Sequence, residues 1–219
     1  MKYFNSKFFE FFNELSKNNS KAWFDENRKT YEKEVKKPFS KLVEDMIQKI
    51  QKHEDIDIKP SEAIMRINND IRFSKDKTLY KTSVSANISK FGKKDKSYPG
   101  FYFQLSNDNI SVYGGVYVLS TSQLKSERNH ISNNLKDFQS IYSDARFIKY
   151  YKDIKGEKHK RIPKEFQSTF EKEPLIANKQ FYYVAELDRE LITSDSLAKK
   201  LMEYYKVGID LNRFLQEGM

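Results

Sequence analysis

Residues 83–118 decide the fold class, and they read SVSANISKFGKKDKSYPGFYFQLSNDNISVYGGVYV. Apolar and polar residues alternate in three runs within this stretch, which begin at Ser83, Phe101 and Ile110. A period of two is typical of strands that have one face against the core and the other in water. Ser106-Asn-Asp-Asn109 has the composition of a tight turn between the last two runs. The stretch therefore predicts three strands with hairpin-type connections.

Helical spacing appears on both sides of these strands. Residues 7–52 predict a helical layer in which Ser20 caps the second helix and Pro38 either breaks that helix or opens the third. Residues 121–217 predict further helices, capped first by Thr121 or Ser122, and one late strand around 181–187. We therefore expect an α+β fold with a mainly antiparallel sheet packed against amino-terminal and carboxy-terminal helices. The length of 219 residues suits a single domain over 1–219, with the strands between about 63 and 119.

The composition limits the chemistry that the chain can carry out. It contains no cysteine, which excludes disulfides, cysteine-ligated zinc and a thiol nucleophile, and which fits a reducing compartment. The first fifteen residues include Glu10 and Glu14 within their apolar pattern, and no later stretch has the length and hydrophobicity of a membrane span. His53, His130 and His159 lack the paired spacing of a zinc motif. We expect a cytoplasmic protein with no metal and no membrane contact, and the sequence leaves the cofactor open.

The net charge of +9 has two interpretations. Clustered cations attract phosphates, which favours a nucleic-acid partner. However, only eight of the forty cations are Arg, and a lysine-rich solvated surface explains the charge equally well. Arg carries more information than Lys here, because its planar fork binds carboxylate or phosphate at two points.

The signature segment, residues 66–81, is the part of the chain richest in reactive side chains and reads RINNDIRFSKDKTLYK. It holds five cations and two carboxylates, a net charge of +3, and it contains two of the eight Arg residues. In an extended segment Asp70 and Arg72 project to the same side, so one face can present alternating donors and acceptors.

The chain resembles a known family at these positions. The residues that carry the resemblance are Arg66, Asp70, Arg72, Phe73, Asp76, Lys77 and Tyr80. Their spacing resembles the signature of domain of unknown function 2461, an uncharacterised and mostly bacterial family. Shorter matches extend the resemblance over nearly the whole chain, among them Asn18-Asn19, Gly114-Gly115, the Leu124 to Arg128 pair and Lys160-Arg161-Ile-Pro163. Asn69 and Glu165 depart from the family pattern, where Arg and Gly are usual. The resemblance implies a fold and the place of a site, and it implies no reaction.

Two hypotheses account for the signature segment. In the first it forms an anion pocket, where Arg66 and Arg72 grip a phosphate or carboxylate, Lys77 adds a charge and Tyr80 donates a hydrogen bond. Asp70 then orients an Arg or acts as a catalytic base, and Asp76 and Arg161 complete the predicted ligand-binding set, with Arg161 brought in by folding. In the second, a buried Arg–Asp network fixes the chain to the sheet with Phe73 and Tyr80 as apolar anchors.

Three functions follow from these hypotheses. The chain binds a phosphate-bearing ligand, either a small molecule or nucleic acid; or it is a hydrolase or phosphoryl-transfer enzyme that uses Asp70; or it is a structural or interaction protein. Binding of a phosphate-bearing ligand is the favoured prediction, and the sequence does not decide whether the protein is an enzyme.

Overall fold

The computed structural model describes residues 1–72 and 75–219. Its α-helices are α1 Lys7–Lys17, α2 Lys21–Glu26, α3 Arg28–Thr30, α4 Lys37–Ile50, α5 Pro60–Ala63, α6 Thr121–Asn133, α7 Leu135–Tyr142, α8 Ala145–Tyr151, α9 Gln167–Phe170 and α10 Leu197–Glu217. A π-helix, Tyr31–Lys36, joins α3 to α4, and 3-10 turns occupy Lys164–Phe166, Pro174–Ala177 and Arg189–Thr193. The strands are β1 Ser83–Ile88, β2 Phe101–Ser106, β3 Asn109–Val116 and β4 Phe181–Asp188.

The strands form one antiparallel sheet in the order β1-β2-β3-β4, which confirms the predicted α+β class. The predicted turn joins β2 to β3, where the Ser106 hydroxyl accepts hydrogen bonds from the backbone N–H groups of Asp108 and Asn109 at 3.2 Å. Side chains alternate between buried and partly exposed along β2 and the start of β4, as the period of two predicts.

The chain groups into two compact units. The first consists of Met1–Lys93, Tyr102–Val112 and Glu186–Met202, and the second of Lys94–Phe101, Tyr113–Ala185 and Glu203–Met219. The single-domain organisation expected from the length stays a prediction.

The first unit has an aromatic core built by the amino-terminal helices and the sheet. Phe8 and Phe12 of α1 are fully buried and their ring centroids lie 5.0 Å apart. Phe39 of α4 packs against Phe103 of β2 at 5.8 Å. Burial of such large rings supplies most of the driving force for packing helices onto a sheet.

The second unit has a core centred on Tyr183 of β4. Its hydroxyl lies 2.8 Å from the carbonyl oxygen of Gly208 and 2.9 Å from Oδ1 of Asn212, both on α10, so its single O–H is shared between two acceptors. A Cβ on Gly114 or on Gly208 would overlap the Tyr183 ring, so both positions need glycine for this close approach. The backbone at Gly114 therefore lies directly against the Tyr183 ring.

Two predicted helix boundaries differ in the structure. The second helix does not run unbroken to residue 37: α2 ends at Glu26, and the Trp23 carbonyl accepts from both the backbone N–H of Asn27 at 3.0 Å and its side-chain amide at 2.9 Å. Ser20 caps α2 as predicted. Ser120 rather than Thr121 or Ser122 caps α6, because Gln123 lies three residues after it and completes a reciprocal capping box.

Within residues 1–72 and 75–219, no helix combines the length and the hydrophobicity needed to cross a membrane.

Candidate functional site

The signature segment folds as a hairpin that precedes the sheet. The backbone N–H of Asn69 donates to the carbonyl of Leu79 at 2.9 Å, and that of Lys81 donates to Ile67 at 2.8 Å. Closer to the sheet, Ile64 forms an antiparallel bridge with Ala86 of β1. The residues before and after the turn therefore form two paired arms, which hold the turn between them.

The base of this hairpin is anchored to the helical layer. The Asn19 side chain donates to the carbonyl of Tyr80 at 2.8 Å and accepts from its N–H at 2.9 Å. The Tyr80 ring is buried and stacks on Phe24 at 4.0 Å with nearly parallel planes. Tyr80 therefore holds the hairpin in place, as the second hypothesis predicts for this residue.

Short-range contacts shape the turn. The Asp76 carboxylate accepts from the hydroxyl of Thr78 at 2.5 Å and from its backbone N–H at 2.8 Å, and these two hydrogen bonds lower the pKa of Asp76. The Lys77 ammonium donates to the carbonyl of Ile71 at 2.9 Å across the turn. Asp76 and Lys77 thus both take part in the local structure of the turn.

Two guanidinium groups meet at the carboxylate of Asp70. Nε and Nη2 of Arg72 donate to its two oxygens at 2.9 and 2.7 Å, a bidentate pair, and Nη2 of Arg66 lies 3.5 Å from the same Oδ2. The Arg66 and Arg72 side chains are 66% and 74% exposed. The predicted same-side projection of Asp70 and Arg72 is therefore confirmed, and the network lies in water and not in the core.

These contacts decide the ionisation of Asp70. The hydrogen bonds from the Arg72 side chain and backbone hold the pKa of Asp70 well below its usual range. A general base works best when its pKa lies near the working pH, so Asp70 is poorly suited to proton abstraction at neutral pH. Its geometry suits the orientation of the two Arg side chains.

Three further residues belong to the predicted site or its anchors: Phe73, Tyr80 and Arg161. Phe73 lies outside the described residues. Arg161 is exposed and belongs to the second unit, whereas the hairpin belongs to the first. Tyr80 is buried at the base of the hairpin, so its predicted role as a hydrogen-bond donor to a ligand does not fit its position.

A family model described as "Conserved hypothetical protein (DUF2461)" matches residues 7–214 of the 219. The chain belongs to the DUF2461 family. No curated protein matches the chain.

This DUF2461 chain also contains a buried polar cluster that the sequence analysis missed. Arg128 of α6 is 3% exposed, and its guanidinium donates to the carbonyls of Ile176, Ala177 and Asn178 and to Nδ1 of His159. In the described part of the chain, no carboxylate forms an ion pair with it. The spacing of Leu124, Arg128 and Ile131 places Arg128 on the apolar stripe of α6, and this is the signal that could have revealed it.

Glu127, the neighbour of Arg128 in the DUF2461 chain, is fully buried. Neither of its carboxyl oxygens has a hydrogen-bond partner among the described residues. Burial raises the pKa of Glu127 to about 8, because the charged form loses its hydration. Burial therefore favours the protonated form of Glu127.

Proposed function

We propose that the turn of the signature segment binds a phosphate-bearing ligand and that single-stranded nucleic acid is a ligand of this class. The observation that carries the proposal is the convergence of the exposed Arg66 and Arg72 side chains on one carboxylate, Asp70. A cytoplasmic site of action belongs to the same proposal, and the lack of cysteine supports it.

The local charge supports binding of an anion. The signature segment carries five cations and two carboxylates. The exposed Arg66 and Arg72 share a single carboxylate, that of Asp70, so this group of three side chains keeps a net positive charge. Arg presents planar N–H donors that match the oxygens of a phosphate, and Asp70 holds the two side chains in place before a ligand arrives.

Two other functions fit the structure less well. An enzyme that uses Asp70 as a base needs a carboxylate of higher pKa than the Arg72 contacts permit. A purely structural role fits poorly because backbone bonds and the Asn19 contacts already hold the hairpin. Ion pairs as exposed as Arg72 with Asp70 contribute little to stability, since water screens them.

The first prediction concerns Arg72→Ala. We expect the affinity of the full chain for a fluorescein-labelled single-stranded oligonucleotide to fall, because one phosphate contact is lost. Each such contact contributes about −0.7 to the slope of log K against log salt concentration, so the slope should become shallower by about that amount. Fluorescence anisotropy over a range of sodium chloride concentrations measures both quantities.

Arg146→Ala is the matched control. Arg146 is exposed to a similar degree and lies 3.6 Å from a neighbouring carboxylate, Asp144, so its removal changes the net charge equally. It should leave the affinity and the salt slope unchanged. If Arg72→Ala loses thermal stability but binds the oligonucleotide unchanged, the structural role is favoured. If the chain has a phosphatase activity that Asp70→Asn abolishes while the variant stays folded, the enzyme is favoured.

A further inference from the structure

We infer that the outer face of β4 and the residues beside it bind the unpaired bases of single-stranded nucleic acid. Tyr117 and Tyr182 form the stacking surface, and exposed cations of residues 149–164 attract the phosphates. The class of ligand rests on the proposed function, but the residues are different ones, and all of them lie in the second unit.

Tyr182 points away from the core of the second unit. Its neighbours in β4, Phe181 and Tyr183, are buried, whereas Tyr182 is half-buried. Successive side chains of a strand point to opposite faces of the sheet, so the Tyr182 ring lies on the outer face.

Tyr117 extends this outer face beyond the end of β3. Its ring centroid lies 5.2 Å from that of Tyr182, and the two rings meet edge to face. Tyr117 is 63% exposed, and the next residue, Val118, is 48% exposed. The contact with Tyr182 restricts the Tyr117 ring, which lowers the entropy cost of stacking a ligand on it. A flat nucleobase on this ring would cover apolar surface that otherwise lies in water.

An antiparallel bridge brings a cation to the other side of Tyr182. The backbone N–H of Lys155 donates to the carbonyl of Tyr182 at 2.6 Å, and the Tyr182 N–H donates back at 3.2 Å. Directly opposed residues of an antiparallel pair project to the same face, so the Lys155 side chain lies on the face of the Tyr182 ring. The Lys155 ammonium lies 3.6 Å from the carboxylate of Asp153 in an exposed ion pair, which water screens and for which a phosphate can compete.

The segment that carries Lys155 has a strong positive charge. Residues 149–164 hold seven cations against two carboxylates, and all seven cations are exposed. Such a field attracts a polyanion. Aromatic rings that stack bases, next to cations that contact phosphates, suit a single strand of any sequence. A duplex stacks its bases on one another and offers these rings no free base face.

Fluorescence anisotropy of the full chain with fluorescein-labelled oligothymidylate tests the inference. Tyr117→Ala should weaken binding at least about fivefold, the lower end of what one stacked base contributes. It should leave the salt slope unchanged, because no phosphate contact is lost. Tyr117→Phe keeps the ring and should bind like the unmodified chain. Phe170→Ala removes an exposed ring from α9 of the same unit, and this matched control should also bind like the unmodified chain.

An oligonucleotide of the same length without bases separates stacking from phosphate contacts. It should bind Tyr117→Ala and the unmodified chain equally, whereas Arg72→Ala should make the salt slope shallower with both ligands. A failure of the proposed function and a failure of this inference are therefore distinguishable.

Three outcomes would overturn the inference. The first is an affinity for oligothymidylate that Tyr117→Ala leaves unchanged, and the second is an equal loss of affinity with the ligand that lacks bases. The third is a change in the sedimentation of the free chain on Tyr117→Ala without a change in affinity, which would show that this face joins two copies of the chain.

Discussion

Glu127 makes stability depend on pH at the scale of a single side chain. It is fully buried without a hydrogen-bond partner in the described ranges, and its pKa rises from 4.5 to about 8 on folding. A raised pKa means that the folded state holds the proton more tightly than the unfolded state does. This contribution to stability is complete below pH 4.5 and is lost as the pH rises towards 8.

We predict that Glu127→Gln removes this dependence. The free energy of unfolding of the unmodified chain should fall by up to about 1.4 kcal/mol per pH unit between these two pKa values, because its carboxyl must lose a proton. Gln has the same shape and does not ionise, so the variant should become the more stable of the two as the pH rises. Urea unfolding at a series of pH values measures the difference.

The exposed Glu186 provides the control for this prediction. Glu186→Gln should shift stability by a similar small amount at every pH. A difference between the unmodified chain and Glu127→Gln that stays constant with pH would show that Glu127 is not the titrating group.

The hairpin that carries the signature segment shows how one contact can hold a whole element. Backbone bonds join its arms, and Arg72, Lys75 and Lys77 near its tip are exposed. Asn19 binds both backbone groups of Tyr80, and Tyr80 stacks on Phe24. One amide side chain, 61 residues away in sequence, therefore ties the hairpin to the helical layer.

We predict that Asn19→Ala loosens this element. The change leaves the N–H and the carbonyl of Tyr80 without these side-chain bonds, which should destabilise the chain by about 1–3 kcal/mol. The amides of Asn69 and Lys81, which donate across the hairpin, should exchange faster with deuterium. Hydrogen exchange and urea unfolding measure the two effects.

Asn18→Ala separates this contact from the local helix end. Asn18 is the adjacent residue, and among the residues that the structure describes its side chain bonds only to the carbonyl of Glu14 on α1. It should leave exchange at Asn69 and Lys81 unchanged. If both variants increase exchange equally, the Asn19 contact does not hold the hairpin.

At the scale of the whole molecule, the boundary between the two compact units falls inside strands. β3 passes from the first unit to the second after Val112, and β4 passes back after Ala185. A strand is stable only as part of its ladder, so neither unit contains complete β3 and β4 strands by itself. The single-domain organisation stays a prediction, and the cooperativity of unfolding tests it.

We predict one cooperative unfolding transition. Scanning calorimetry should give a calorimetric enthalpy equal to the van't Hoff enthalpy, because the shared strands couple the two units. Far-ultraviolet and near-ultraviolet circular dichroism should report the same midpoint. Two separate heat-absorption peaks would contradict a single domain.

The sequence by itself determined the class of the fold, its family and the position of the signature segment. Alternation along 83–118 and helical spacing on both sides are local patterns. Burial of one face of a strand requires an apolar residue at every second position, and burial of one face of a helix requires one at every third to fourth position. The strands, the β2–β3 turn and the Ser20 cap could therefore be predicted from neighbouring residues alone. The interruption at Asn27 could not, because the helical spacing of the apolar residues continues through it.

Only the tertiary structure decided which polar groups meet. The sequence supplied Arg66, Asp70 and Arg72 as a candidate cluster, but the shared carboxylate and its exposure to water depend on the path of the turn. Arg128 and Asn178 are 50 residues apart, and no local pattern links them. Many residues along a chain have the right chemistry to pair with a given long side chain. The packing of the helices and strands that carry these residues decides which pair forms.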